Sequence, residues 1–292
     1  MVTLDAAQLE ALSAAVAEGT FEAAARALHV TPSAVSQRIK ALELSAGRVL
    51  LTRSKPVRPT PSGEVLLRVA RQVQAVSADA LAELGGDRGG GPAVVALAVN
   101  AYSLATWLVP ALASVGGEVV FDLRREDQDR TARLLQEGVV MAAITASPEP
   151  VTGCSVEPLG RMRYRPRASR TFAERWFPEG ATVASLSAAP VVVFDRDDRL
   201  QDRYLRRRTR RACDPPRHHV PGSGAYVAAV RLGLGWGMVP DLQVPPGESG
   251  LVEIDPQGVI EVELFWQQWR LPSPSLERVG AAVRSGARAL LR

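Results

Sequence analysis

The chain has 292 residues and carries 35 lysines and arginines against 31 aspartates and glutamates, a formal net charge of +4. So mild a balance excludes a histone-like polycation, and any affinity for a polyanion must rest on local charge. Two distant cysteines, Cys154 and Cys213, fit reduced thiols rather than a disulfide framework or a zinc site, and no apolar run is long enough to span a bilayer.

Residues 1–19 carry acids inside an apolar pattern and lack a basic leader. This predicts a helix rather than a signal peptide and, with reduced thiols, a cytoplasmic protein. Residues 20–43, TFEAAARALHVTPSAVSQRIKALE, then predict two short helices around a tight turn. Thr20 caps the first helix, whose Phe21, Ala24, Ala25 and Leu28 turn inward. His29 and Val30 make the turn. Thr31 caps the second helix, and Pro32 takes its first position, where a missing N–H does no harm.

On that second helix Val35, Ile39 and Leu42 form one apolar stripe. Ser33, Ser36, Gln37 and Lys40 occupy the opposite face, which offers hydrogen-bonding groups and a cation but no carboxylate. Such a face fits the major groove of double-stranded DNA, where base edges carry donors and acceptors and the rims are anionic phosphate. An ordinary amphipathic helix pair with a solvated polar face is the plainer reading. The neighbouring charge argues against it: Arg38, Lys40, Arg48, Arg53, Lys55 and Arg58 stand against a single acid, Glu43.

The stretch LTRSKPVRPTPSG predicts a short β-hairpin wing whose basic residues Arg53, Lys55 and Arg58 reach phosphates or the minor groove. Thr60 and Pro61 start a long helix over 61–84. Along it Leu66, Val69, Val73, Val76 and Ala80 alternate spacings of three and four, the seam of a two-stranded coiled coil. The helix joins two domains and has no evident domain of its own to pack on. The seam therefore predicts a homodimer or homotetramer, which sets recognition helices on one side of a duplex and implies an inverted-repeat site. Residues 85–92, GGDRGGGP, are a flexible linker by composition. The expected division is a DNA-binding domain over 1–60, a dimerisation helix over 61–84, the linker, and a larger domain over 93–292.

In the larger domain, strands are predicted at 94–100, 118–124 and 139–145, with helices at 104–115 and 131–137 between them. That alternation implies a parallel sheet covered by helices on both faces. A second series follows, with strands at 162–169, 190–195, 218–220 and 236–240 and helices at 199–212 and 223–233. A strand at 261–271 and a terminal helix at 274–291 close the chain. Two α/β lobes, one over 93–161 and 269–292 and the other over 162–268, predict a hinged binding module with a cleft between them.

Several features invite other readings. The arginines at 203, 206, 207, 208, 210 and 211 form a basic run on a helix, read as a solvated face paired with nearby acids rather than a second DNA contact. The segment GLGWG at 233–237 lies between a helix and a strand, the wrong context for a dinucleotide loop. His218 and His219 lack a partner at metal spacing and are read as strand packing, and Trp266 and Trp269 as core. No Walker motif, HExxH, nucleophile elbow or triad is present, so neither an enzyme nor a cofactor or metal site is expected.

The segments AARALHVTPSAVSQRIKALE and LTRSKPVRPTPSGEVLL, with the two-lobed remainder, resemble the LysR-type transcriptional regulators over the whole chain. Within that family the chain is similar to the ArgP/LysG subgroup at LAVNAYSLATWLVPAL, EDQDRTARLLQEGVV, FAERWFPEG, APVVVFDRDD and GLGWGMVP. The resemblance implies an α/β fold: a winged helix-turn-helix, a linker helix and a periplasmic-binding-protein-like effector domain. It implies promoter DNA and RNA polymerase as partners and a small effector between the lobes, a basic amino acid (lysine or arginine), with control of amino-acid export or metabolism. Regulators of another effector, or a constitutive DNA-binding protein whose α/β domain only oligomerises, are the alternatives.

An amino acid's α-carboxylate fits a helix N-terminus, where free N–H groups point at it. Here the first strand ends at Asn100 and Ser103 opens the next helix. The family's use of this loop carries over to Ser103 and Thr106; Ser103 as a mere cap is the other reading. Thr145, at the end of another strand, is expected to face the same crevice. Glu126, Asp127, Asp195, Asp197 and Asp198 are candidates for the cationic end of the ligand. The subgroup usually has aspartate just before the serine, where this chain has Tyr102, which suits stacking on a guanidinium or an apolar wall.

Overall fold

The computed structural model describes residues 4–52, 54–83, 93–117, 119–126, 128–209, 213–244 and 250–292. The candidate DNA contact Arg53, the candidate effector ligand Asp127, the linker at 85–92 and Arg210 and Arg211 of the basic run lie outside the described residues.

Three helices, α1 (Ala6–Glu18), α2 (Phe21–Ala27) and α3 (Pro32–Ala46), form the first unit. The caps are those the sequence predicts. Thr20 Oγ1 accepts from the Ala23 N–H at 3.1 Å, and Thr31 Oγ1 from the Ala34 N–H at 3.2 Å. His29 sits in the left-handed region, at φ 54°, which lets the turn reverse within a few residues. Val35, Ile39 and Leu42 of α3 are buried against Leu9, Leu12, Ala24 and Ala25. Burying each large side chain of that stripe contributes about 1.5–3 kcal/mol, enough to fix which face of α3 turns outward.

The wing is a two-stranded antiparallel hairpin, β1 (Leu51–Thr52) with β2 (Arg58–Pro59). It leads into α4 (Pro61–Glu83). Thr60 Oγ1 donates to the Val49 carbonyl at 2.8 Å and accepts from the Gly63 N–H at 3.0 Å, so one hydroxyl ties wing to helix. Gly63 is needed there, since a Cβ would stand 1.9 Å from the Leu50 carbonyl oxygen.

The expectation that α4 has no domain to pack on is wrong. Leu67 and Ala70 are buried in the core of the first unit, and Leu66 and Val69 pack half-buried against it. On another face of the same turns, Arg68 and Arg71 donate to the carbonyls of Gln136 (3.4 Å) and Glu137 (2.8 Å) in the larger domain. The buried Asp79 carboxylate accepts from the Ser273 hydroxyl. Gly138, at φ 69°, lies under this contact, where a Cβ would come within 2.9 Å of the Arg68 Cα. The helix still leaves Val73 (39% exposed) and Ala80 open and Val76 half-buried.

The larger domain begins with β3 (Ala93–Val99) and a continuous helical run of α5 (Ala101–Ser103), a π-helical turn (Leu104–Leu108) and α6 (Val109–Ala113). Then come β4 (Val119–Arg125), α7 (Gln128–Gln136), β5 (Ala142–Thr145) and the 16-residue β6 (Cys154–Ser169). The second lobe follows as α8 (Arg170–Trp176), α9 (Val183–Ala188), β7 (Val191–Val193), α10 (Leu200–Thr209), β8 (Arg217–His219), α11 (Ser223–Arg231), β9 (Gly237–Pro240) and β10 (Leu251–Glu253). The chain returns through β11 (Ile260–Trp269) to α12 (Pro274–Leu290).

The sheets depart from the expected pair of parallel ones. Parallel pairing holds for β5-β3-β4 and for β7-β8, whereas β11 pairs antiparallel with β5 and β6, and β6 with β9 and β10. One seven-stranded sheet thus runs through both lobes on the long strands β6 and β11. The register shifts between Leu264 and Phe265, opposite Gly160. Residues 265–268 pair with β5 of the first lobe, so the return crossing lies before the predicted boundary at 269. Trp266 and Trp269 are buried as expected. His218 and His219 lie on β8 but are exposed, which corrects their reading as packing residues.

Candidate functional site

Two surfaces stand apart chemically. The first is the outer face of α3 and the wing. Thr31, Ser33, Gln37, Lys40, Lys55 and Arg58 are exposed there, and Ser36 and Arg38 half-buried. Among the described residues, Arg38, Lys40, Arg48, Lys55 and Arg58 make no ion pair. The one acid of the region, Glu43, turns inward, and its Oε1 accepts from the Leu50 N–H at 2.8 Å, bracing the wing. The result is a cationic, donor-rich ridge with its neutralising carboxylate withdrawn. A ridge of this shape matches an anionic groove.

The second is a cavity of about 360 Å³ between the lobes. From the first lobe it is walled by Asn100, Ala101, Tyr102 and Glu126, and from the second by Phe194, Asp195, Asp197 and Asp198. Leu200 and Arg203 of α10 complete that side, and Tyr164, Val262 and Leu264 of the crossing strands form the floor. Of the predicted effector residues, the fold brings Asn100, Glu126, Asp195 and Asp197 to this wall.

The turn after β7 presents the acids. Asp195 Oδ1 accepts from the N–H groups of Asp197 (2.9 Å) and Asp198 (2.8 Å). Asp198 in turn accepts from the N–H groups of Phe194 (3.3 Å) and Leu200 (2.9 Å), which starts α10. Burial pushes the Asp198 carboxyl above the usual carboxylate range, opposed by those backbone donors. A cation entering the cleft acts against that burial and favours the carboxylate.

Asn100 Oδ1 accepts from the Ser103 N–H at 2.8 Å and so caps the helical run. The Ser103 side chain is fully buried and not on the cavity wall, and its Oγ has no hydrogen-bond partner among the described residues. Thr106 and Thr145 are not brought to the wall. The Thr106 hydroxyl donates to the Tyr102 carbonyl at 2.7 Å and that of Thr145 to the Ser147 carbonyl at 3.0 Å. Both are occupied by backbone, a contact the residue types alone do not reveal.

Tyr102 belongs to the first lobe, yet its ring lies 5.5 Å from Phe194 and 6.2 Å from Tyr226 of the second, and 5.4 Å from Tyr164 below. It packs on the cores of both lobes. Burial, with Tyr226 and Asp198 nearby, pushes its phenol well above the usual range, so it remains a neutral aromatic wall. The Arg125 guanidinium stands 6.0 Å from the Phe194 ring centroid, so this aromatic group already receives one guanidinium.

The basic run resolves into separate roles. Arg208 pairs with Asp255 at 2.8 Å and Arg199 lies 3.7 Å from Asp202, while Arg206 and Arg207 are exposed. Arg203 departs from the solvated-face reading, being half-buried on the cavity wall. Sequence reasoning missed it as a site residue; its one signal was a spacing of three from Leu200, on the same helix face. Cys154 and Cys213 are free thiols, and no group of metal-ligating side chains occurs among the described residues.

Comparison with known proteins matches residues 6–64 to the bacterial regulatory helix-turn-helix proteins of the LysR family and residues 89–288 to the LysR substrate binding domain. The chain is 42% identical over 289 residues to the lysine export transcriptional regulatory protein LysG of Corynebacterium efficiens, covering 97% of this chain and 98% of that one. It resembles the crystal structure of ArgP from Mycobacterium tuberculosis (46% identity, TM-score 0.92, 99% of each chain). It also resembles full-length LysG from Corynebacterium glutamicum with the effector Arg bound (36% identity, TM-score 0.83, 99% of this chain and 100% of that one).

Proposed function

The chain belongs to the LysR family of transcriptional regulators, and on that premise we propose that it controls transcription in response to a basic amino acid, arginine or lysine, bound between its lobes. One observation carries the reading: Glu126, Asp195, Asp197 and Asp198 share a cavity with the aromatic wall of Tyr102, Tyr164 and Phe194. An apolar stem lies along such a wall, and a planar cation meets the carboxylates at its end. The relatives named for lysine export and the neighbour holding arginine support the same chemistry. Genes of amino-acid export or metabolism are the fitting targets.

In this reading α3 enters the major groove, Gln37 and Lys40 face base edges and phosphates, and Lys55 and Arg58 of the wing hold the flanking backbone. Of the predicted seam, Val73, Val76 and Ala80 supply the contact between two copies, since Leu66 and Val69 already pack against the first unit. The helical N-terminus at Asn100 to Ser103 is the place for the ligand's α-carboxylate. The ligand acts only through unequal affinity for two arrangements of the lobes, and so of the DNA-binding heads.

The test is to select genomic DNA fragments on the purified chain and footprint the tightest with and without arginine and lysine. The expected footprint is an inverted repeat with half-sites about 10 base pairs apart or a multiple of that, altered by at least one of the two amino acids. A footprint indifferent to both would favour a constitutive DNA-binding protein.

A further inference from the structure

We propose that Arg203 is the second anchor of the cleft, a guanidinium clamp on the α-carboxylate of the bound amino acid. The inference rests on the reading of the cleft as a basic-amino-acid site. Arg203 reaches the cavity from the second lobe, facing Asn100, Ala101 and Tyr102 of the first. It is half-buried, and its side chain makes no ion pair or hydrogen bond among the described residues. The other arginines described on α10 are either paired, as Arg208 is with Asp255, or open to solvent.

A half-buried guanidinium without a partner loses hydration that no protein group replaces. A carboxylate offered in the plane of its fork replaces it with two charge-assisted hydrogen bonds. The signs on the wall match such a ligand. Four carboxylates stand with two arginines, and Arg199 lies near Asp202 while Arg203 is unengaged. A free basic amino acid has two cationic groups and one anionic group, so both signs find a counterpart. A ligand bearing only cations leaves Arg203 opposed by like charge. With the α-carboxylate held between Arg203 and the helical N-terminus at Asn100 to Ser103, one small anion bridges both lobes, which is what closure on a ligand requires.

The experiment compares arginine with agmatine, its decarboxylated counterpart, by calorimetric titration of the full chain and of Arg203→Gln. The wild-type chain is expected to bind arginine about 10- to 100-fold more tightly than agmatine. In Arg203→Gln arginine weakens toward agmatine while agmatine holds or gains, and the preference collapses. Arg203→Lys, which keeps the charge without the fork, retains part of the preference and decides the question should the glutamine variant not fold. An undiminished preference for arginine in the variants overturns the clamp and leaves the basic-amino-acid reading standing. A wild-type chain that binds neither arginine nor lysine overturns both.

Discussion

Gln37 and Lys40 project from α3 with no side-chain partner among the described residues, one turn apart from each other on the side away from Val35, Ile39 and Leu42. Their exposure follows from the helical repeat, which is why these positions were legible before any fold was known. A bidentate side-chain contact to a base edge is worth about 1–3 kcal/mol of discrimination. Gln37→Ala is therefore expected to weaken binding to the selected site by about 10-fold or more, and binding to random DNA far less. Equal loss on both in a gel-shift titration would show that Gln37 does not read bases. The cleft residues were harder to foresee. Asn100 and Glu126 follow the parallel strands β3 and β4, and Asp195 and Asp197 lie in the turn after β7, so strand ends of the two lobes face each other across the cavity. The hydroxyls of Thr106 and Thr145 failed because their partners are carbonyls placed by the backbone. Arg203 was hidden inside a run of arginines, since composition does not tell a wall from a surface.

At the scale of elements, α4 has three tasks on three faces. Leu67 and Ala70 anchor it in the first unit, Arg68, Arg71 and Asp79 bind it to the larger domain, and Val73, Val76 and Ala80 stay open or half-buried, the face proposed for a second copy. The period of the apolar residues points to the third face. The second face was illegible, because its partners Gln136, Glu137 and Ser273 lie far along the chain and two of them offer only backbone. The same limit applies to β6. Its second half reads as a strand, but that it runs unbroken from Cys154 through both lobes is set by pairing with β11. For the proposed seam, Val73→Asp places a charge where two apolar stripes are expected to meet and removes nothing from the monomer's core. Light scattering is expected to show a dimeric or larger wild-type assembly and a shift toward monomer in the variant. An unchanged mass would move the interface elsewhere.

The whole molecule joins the two surfaces through α7. That helix begins just past Glu126 on the cleft wall, and the carbonyls of Gln136 and Glu137 at its far end are held by Arg68 and Arg71 of α4. A ligand that draws Glu126 toward the second lobe shifts a helix already fastened to the one that carries the DNA-binding unit. Such a ligand must match the cleft in charge and shape, and only the difference in its affinity for the two arrangements reaches the DNA. The most direct test of this account is calorimetric titration of the full chain with arginine, lysine and glutamate. Saturable heat is expected from arginine or lysine, with one site per chain, and none from glutamate, whose side chain is repelled by the acids after β7. Equal binding of glutamate, or no heat from either basic amino acid, would contradict it.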